Sequence, residues 1–225
     1  MTELLLIRHG ETDWNRALRF QGQIDVPLNA IGLAQAQRLR DRLHQVLPDW
    51  QSDARAPLRV ISSDLLRARQ TAEPLARVLG CDLQVEPGLR EQCFGIFEGL
   101  DVAQIKAEHA PHWQRWLAFD ADHALPGAES TRHFHQRVID ALARLAERHA
   151  GERIVVVTHG GVLDMVWRHA HQHSLHGPRV CDIPNAGWNQ VQHQPTQLHI
   201  LNWADTAHLQ DMPPQPVYRQ TRLKD

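Results

Sequence analysis

Ile154-Val155-Val156-Val157-Thr158-His159-Gly160-Gly161 decides the architecture. Four β-branched residues in succession offer no polar face, so the strand they form has to be covered on both sides. Such a strand belongs in the middle of a sheet with helices above and below. Leu4-Leu5-Leu6-Ile7-Arg8-His9-Gly10 repeats the pattern near the N-terminus, again as a short apolar run that empties into a loop at a His-Gly dipeptide.

The intervening sequence supplies the helices. After a turn expected between Pro27 and Gly32, Leu33, Ala36, Leu39, Leu43 and Val46 recur at helical spacing. Leu58 to Ser62 reads as a second strand. Asp64 is the expected cap of a helix carrying Leu65, Ala68, Ala72, Leu75 and Leu79, which Gly80 ends. Leu83 to Val85 reads as a third, shorter strand. Ser130 is placed to cap a helix through Phe134, Val138, Ala141, Leu142 and Leu145, and another should run through Val162, Met165, Val166 and His169. Trp188 to His193 and Gln197 to Leu201 read as strands across a Gln194-Pro195-Thr196 turn.

Alternating strands and helices predict an α/β three-layer sandwich: a mostly parallel, doubly wound sheet with helices on both faces. The stretch at about 100–125, with Trp113, Trp116 and Phe119, reads as a small helical insert over one edge. Pro213, Pro214 and Pro216 suggest a loose tail from about 212. Residues 1–225 are expected to form a single domain.

Composition narrows the partners. The chain is 42% apolar and 22% charged, and 24 Lys plus Arg against 26 Asp plus Glu leave a formal charge of −2. No run of like charges points to nucleic acid or an anionic membrane, so any positive potential must be local. No apolar run is long enough to span a bilayer, and no basic segment precedes a long apolar core, so the cytoplasm is the expected compartment. Cys81, Cys93 and Cys181 are odd in number and form no CxxC pair, which reads as reduced thiols.

Ligands of doubly wound sheets bind beyond the carboxyl ends of the strands. Both His-Gly dipeptides, His9-Gly10 and His159-Gly160, should therefore meet at one edge. Two neutral imidazoles beside Arg8 and Arg67 would form a cationic, hydrogen-bonding hollow suited to a phosphate dianion. An imidazole is nucleophilic only when neutral, so His9 needs an acceptor for the proton on its other nitrogen.

With these residues in view, the chain resembles the histidine phosphatase superfamily, the branch of cofactor-dependent phosphoglycerate mutases and broad-specificity phosphatases. The resemblance rests on ordered blocks: Leu6-Ile7-Arg8-His9-Gly10-Glu11-Thr12-Asp13-Trp14-Asn15, then Phe20-Gln21-Gly22 and Pro27-Leu28-Asn29. Ser62-Ser63-Asp64-Leu65-Leu66-Arg67-Ala68-Arg69-Gln70-Thr71-Ala72, Leu89-Arg90-Glu91 with Phe94-Gly95 and Glu98-Gly99-Leu100, Pro126-Gly127-Ala128-Glu129-Ser130 and Val157-Thr158-His159-Gly160-Gly161 complete it. The match runs from residue 3 to about 203.

The resemblance implies a phosphatase acting on a small phosphorylated molecule with no cofactor and no metal ion. His9 would become a phosphohistidine. Arg8, Asn15, Arg67 and His159 would hold the phosphoryl oxygens, with Gln21, Gly22 and the Gly160 backbone near the rim. Glu91 would protonate the leaving oxygen and later take a proton from water; Glu98 is its nearest rival, as Arg69 is for Arg67. Glu11 and Asp13 are expected to be structural and the tryptophans to pack core and lid, with pocket lining by Trp113 or Trp116 as the alternative.

Two other readings share the fold. A phosphoglycerate mutase would return the phosphoryl group to a second hydroxyl, but mutases of this family resemble one another in cations that are absent here. Glu91 is followed by Gln92 and Cys93, the expected Lys falls near Val102, and the insert offers only isolated Lys106 and Arg115. A non-catalytic phosphate-binding or interaction module need not retain the nucleophile, and here the set is intact. His169, His171, His173 and His176 tempt a zinc reading, but the spacing is not HExxH and lacks a CxxC partner, so a solvated helix end is expected. The substrate and oligomeric state stay open at this point.

Overall fold

Strand β1 (Thr2–Arg8) turns Leu4 and Leu6 to one face and Leu5 and Ile7 to the other, and none is more than 3% exposed. The computed structural model, which describes residues 1–52, 58–194 and 197–216, shows why. β1 pairs in parallel with β4 (Arg153–Thr158), whose residues alternate in the same way: Ile154 and Val156 join one core, Val155 and Val157 the other. The full order is β3 (Leu83–Val85), β2 (Arg59–Ser62), β4, β1, β5 (Trp188–Gln194), β6 (Gln197–Asp205). The first four are mutually parallel, and the last two complete the sheet antiparallel.

After β1 comes a single turn of helix, α1 (Asp13–Arg16). Helices α2 (Ala30–Ser52) and α3 (Leu66–Leu79) cover one face, packing Leu39, Leu43 and Leu75 against Leu5, Ile7, Val155 and Val157. The insert places α4 (Val102–Glu108) and α5 (Ala110–Trp116) around a core of their own, Phe20, Phe97, Ile105, Trp113 and Leu125. Helices α6 (Thr131–Arg148) and α7 (Gly160–Ala170) cover the other sheet face with Phe134, Leu142, Val162 and Val166. No helix among the described residues is long and apolar enough to cross a membrane.

Caps match the expectation at two places and depart from it at a third. Ser130 Oγ accepts the His133 amide at 3.2 Å, and Gly80 ends α3 in the left-handed region at φ +62°. Asp64, however, does not cap α3. Its carboxylate is held by Arg90 at 2.7 and 2.5 Å, and Asp25 from a distant loop accepts the Leu66 amide at 2.6 Å instead. Gly32 likewise lies inside the first turn of α2, not in a turn before it. The turn at Pro195-Thr196 and the chain from 217 onward lie outside the described residues. Before that point the C-terminal segment is anchored: Gln215 accepts the Asn185 amide at 2.7 Å and donates to the Asn185 carbonyl at 2.9 Å.

Leu142, 1% exposed, sits where α6 meets the sheet. Leu142→Ala should lower the unfolding free energy by about 2–5 kcal/mol, read from the urea midpoint. Turnover per folded molecule should be retained, because residue 142 lines no part of the cavity that holds His9.

Candidate active site

β1 and β4 stay paired to their last residues: Arg8 lies opposite Thr158, and the His9 amide donates to the Thr158 carbonyl at 2.8 Å. The next residue on each strand is a histidine. The rings of His9 and His159 therefore stand 5.2 Å apart at 58°, with the residues 3% and 0% exposed.

His9 Nδ1 is 2.7 Å from the Gly10 carbonyl. A carbonyl only accepts, so Nδ1 carries the proton and Nε2 keeps the lone pair. Burial, then Arg67 and Arg8, hold His9 well below the usual histidine pKa range, and burial with Arg67 and His9 does the same to His159. Both rings are neutral, as a nucleophilic imidazole must be. The loop behind His9 is packed backbone against backbone. A Cβ on Gly10 would fall 2.6 Å from the Gly32 carbonyl, and one on Gly32 would fall 2.1 Å from that of Glu11.

Arg67 is fully buried on α3 and is oriented by the Gly22 and Ile24 carbonyls at 2.7 and 2.9 Å, whereas Arg69 is exposed. Arg8 is anchored on the Ile183 carbonyl at 2.6 Å. Burial pushes both guanidinium pKa values down to about 10, for Arg8 with help from Arg179, so both remain cations at neutral pH. Arg8 Nε, Arg67 Nε and His159 Nδ1 are buried with no hydrogen-bond partner among the described residues. Native proteins rarely leave buried donors unmet, and donors grouped this way suit the oxygens of a bound anion.

Glu91 lies in irregular chain, where backbone carbonyls need outside partners. Arg137 from α6 donates to the carbonyls of Gly88, Arg90 and Glu91 at 2.9, 3.0 and 3.2 Å, and is itself locked by Glu129 at 2.8 Å. The Glu91 carboxylate accepts the amides of Gln92 and Gly161 at 2.8 and 3.0 Å. A Cβ at position 161 would lie 2.1 Å from Glu91 Oε1, so any other residue there would displace the carboxylate. Glu98 instead clamps the amides of Gln23 and Phe94 at 3.1 and 2.9 Å, and Glu11 holds Arg16 and Asn29.

These groups surround a cavity of about 120 Å³ lined by Arg8, His9, Asn15, Gln21, Gly22, Arg67, Glu91 and Gly160, among others. His159 is not on its wall, and its Nε2 lies 2.8 Å from Ser63 Oγ. Trp116 lines the cavity, while Trp113 is core. The histidines read as a cluster disperse. His169 meets His135 at 3.3 Å, His171 and His173 pack on Trp167, and His176 accepts the Ala121 amide at 3.2 Å.

Residue patterns did not single out Ser63, Asn185 or Arg179 as parts of the site. Asn185 donates to the His9 carbonyl at 3.0 Å and to Asn15 Oδ1 at 3.4 Å, and both Asn185 and Arg179 line the cavity. Asn185 and Arg179 sit in an aperiodic loop before β5, where only chemical type could have marked them.

A hollow of cations and neutral imidazoles at a strand edge suits transfer of a phosphoryl group. The family model of the histidine phosphatase superfamily (branch 1) matches residues 4–206. The chain belongs to that superfamily. It is 36% identical over 211 residues to a metal-independent phosphoserine phosphatase of Arabidopsis thaliana, covering 93% of this chain and 84% of that protein. It is 32% identical over 215 residues to the probable phosphoglycerate mutase GpmB of Escherichia fergusonii, covering 93% and 95%. Among solved structures, a mycobacterial glucosyl-3-phosphoglycerate phosphatase in complex with VO3 superposes with a TM-score of 0.76 at 29% identity, over 91% of this chain and 99% of that one.

The neutral imidazoles have a measurable consequence. In the unfolded chain both histidines take up protons near their ordinary pKa of about 6.5, and in the folded protein they do not until lower pH. The unfolded state then binds more protons, so this pair's contribution to stability is intact above about pH 6.5 and is lost as pH falls below it. Nitrogen NMR of the ligand-free protein should show His9 still as the neutral Nδ1–H tautomer at about pH 6.5, where an ordinary histidine is half protonated. A midpoint near 6.5 for His9 would contradict the geometry.

Proposed function

We propose that this phosphatase hydrolyses phosphate monoesters of small alcohols through a phosphohistidine on His9, without a metal ion. The observation that carries the reading is the 2.7 Å bond from His9 Nδ1 to the Gly10 carbonyl, which leaves Nε2 as a lone pair between Arg8 and Arg67.

In the first step Nε2 attacks phosphorus, the bond from phosphorus to the alcohol oxygen breaks, and Glu91 gives that oxygen its proton. In the second, water attacks phosphorus, the bond from phosphorus to Nε2 breaks with its electron pair returning to the imidazole, Glu91 takes the water's proton, and phosphate leaves with His9 neutral again. Arg8 and Arg67 meet the phosphoryl oxygens with their unsatisfied donors, and Asn15, Gln21, Gly22 and Gly160 line the approach. Charge that Mg²⁺ neutralises in many phosphoryl-transfer sites is met here by guanidinium groups.

Hydrolysis is favoured over mutase action by the residues after Glu91. Gln92 and Cys93 add no cation and bond instead to Glu129 at 3.1 and 3.0 Å. Lys106 is exposed, and Arg115 lies 3.6 Å from Asp120. Each missing charge-assisted contact weakens a bisphosphorylated intermediate by about 1.5–3 kcal/mol, so the first product departs and water follows. The phosphoserine of one relative's name and the glucosyl-3-phosphoglycerate of one neighbour's are phosphate monoesters that carry a carboxylate.

Phosphate release from phosphoserine should persist in excess chelator. Glu91→Gln keeps size but delivers no proton and can accept only one of the two backbone amides, so kcat on that alkyl ester should fall by about 10²–10⁴-fold. The loss on p-nitrophenyl phosphate, whose leaving group needs little protonation, should be much smaller. Equal losses on the two esters would remove Glu91 from the proton transfer.

A further inference from the structure

We propose that Asn185, gripped by Gln215, is the positioning residue of the nucleophile: it fixes the His9 backbone and sets which end of the Asn15 amide is offered to the phosphoryl group. The proposal rests on the phosphatase reading above and adds how the reacting imidazole is kept in place.

The need arises where a ladder ends. β5 pairs with β1 only as far as Trp188 opposite Ile7, so the carbonyls of Arg8 and His9 need partners from elsewhere. The loop before β5 supplies them. The Ala186 amide lies 3.0 Å from the Arg8 carbonyl and 3.3 Å from that of His9, and Asn185 Nδ2 donates to the His9 carbonyl at 3.0 Å. The nucleophile is therefore held on both sides, its N–H by Thr158 on β4 and its C=O by Asn185. The same loop anchors Arg8 through the Ile183 carbonyl.

Donor and acceptor chemistry orients the amides. Asn15 Oδ1 accepts the Thr12 amide at 3.1 Å and lies 3.4 Å from Asn185 Nδ2. A backbone N–H only donates, so the atom it meets is the oxygen, and Asn15 Nδ2 is left as the donor for the cavity that Asn15 lines. Asn185 is set in the same way, because the carbonyl its Nδ2 meets only accepts.

An aperiodic loop does not hold such a residue unaided. Gln215 Oε1 accepts the Asn185 amide at 2.7 Å, and Gln215 Nε2 donates to the Asn185 carbonyl at 2.9 Å, so one side chain grips both backbone groups. His208 Nε2 stands 3.0 Å from the carbonyl of the next residue, Ala186. Asn185 is 2% exposed, so water is a poor substitute for these partners.

Turnover of p-nitrophenyl phosphate per folded molecule, by wild type, Asn185→Ala, Gln215→Ala and the double variant, tests the relay. Asn185→Ala should lower kcat by roughly ten- to a hundred-fold and change KM less, because placement of the nucleophile counts in the transition state. Gln215→Ala should lower kcat by roughly three- to ten-fold and should add almost nothing in the Asn185→Ala background, since it acts through Asn185. Variants with a lowered urea midpoint but wild-type kcat per folded molecule would show a merely structural role and overturn the proposal. A full, additive loss from Gln215→Ala in the double variant overturns it too, since the loss would then come from the cavity wall at Pro216. Should Asn185→Ala not fold, Gln215→Ala at a half-buried residue carries the test, and an unchanged kcat in it overturns the proposal. All these outcomes leave the phosphatase reading standing, whereas a wild-type protein that turns over no phosphomonoester overturns that reading as well.

Discussion

The bond from the His9 amide to the Thr158 carbonyl is the last rung of the β1–β4 ladder, and the chemistry hangs from it. Two parallel strands that end together deliver the residues after them to one place, whatever their distance in sequence. Here those residues are both histidines, 150 positions apart in the chain and 5.2 Å apart in space. Burial on both faces is what keeps the two strands adjacent and central, since Leu4 to Ile7 and Ile154 to Val157 each feed alternate side chains into two cores. A slip of one residue would exchange the faces and separate the rings.

From that constraint the electrostatics follow. Imidazoles buried beside Arg67 and Arg8 cannot hold a proton at neutral pH, and the Gly10 carbonyl decides which nitrogen keeps the one that remains. The arginines are themselves oriented by backbone carbonyls of the loops around them. Glu91 belongs to a third segment with no regular structure, and Arg137 supplies the order a helix or strand would have supplied. Gly161 closes the arrangement: its missing Cβ lets α7 present an amide directly to the Glu91 carboxylate.

Much of this was legible in the residues. The β-branched run at 154–157 announces a doubly covered strand, and two strand-end His-Gly pairs announce a shared edge. Arg67 could be told from Arg69 only by the ordered family blocks, and its complete burial agrees with that choice. What stayed hidden depends on contacts between distant loops. Asp64 has the right type and place for a cap, yet a bidentate partner, Arg90, outcompetes the helix amides, and Asp25 takes over. Asn185, Arg179 and the anchoring Gln215 sit where no periodicity exists, so nothing local distinguishes them from solvent-facing loop residues.

The central claim is that His9 carries the phosphoryl group between the two half-reactions. Rapid quenching under non-acidic conditions during turnover of a labelled phosphomonoester tests it directly. The account predicts an acid-labile, base-stable phosphoenzyme with the label on the peptide containing His9, and a His9→Ala variant that lacks both the adduct and activity by several orders of magnitude. Label on another residue, or near-normal turnover by His9→Ala, would contradict it.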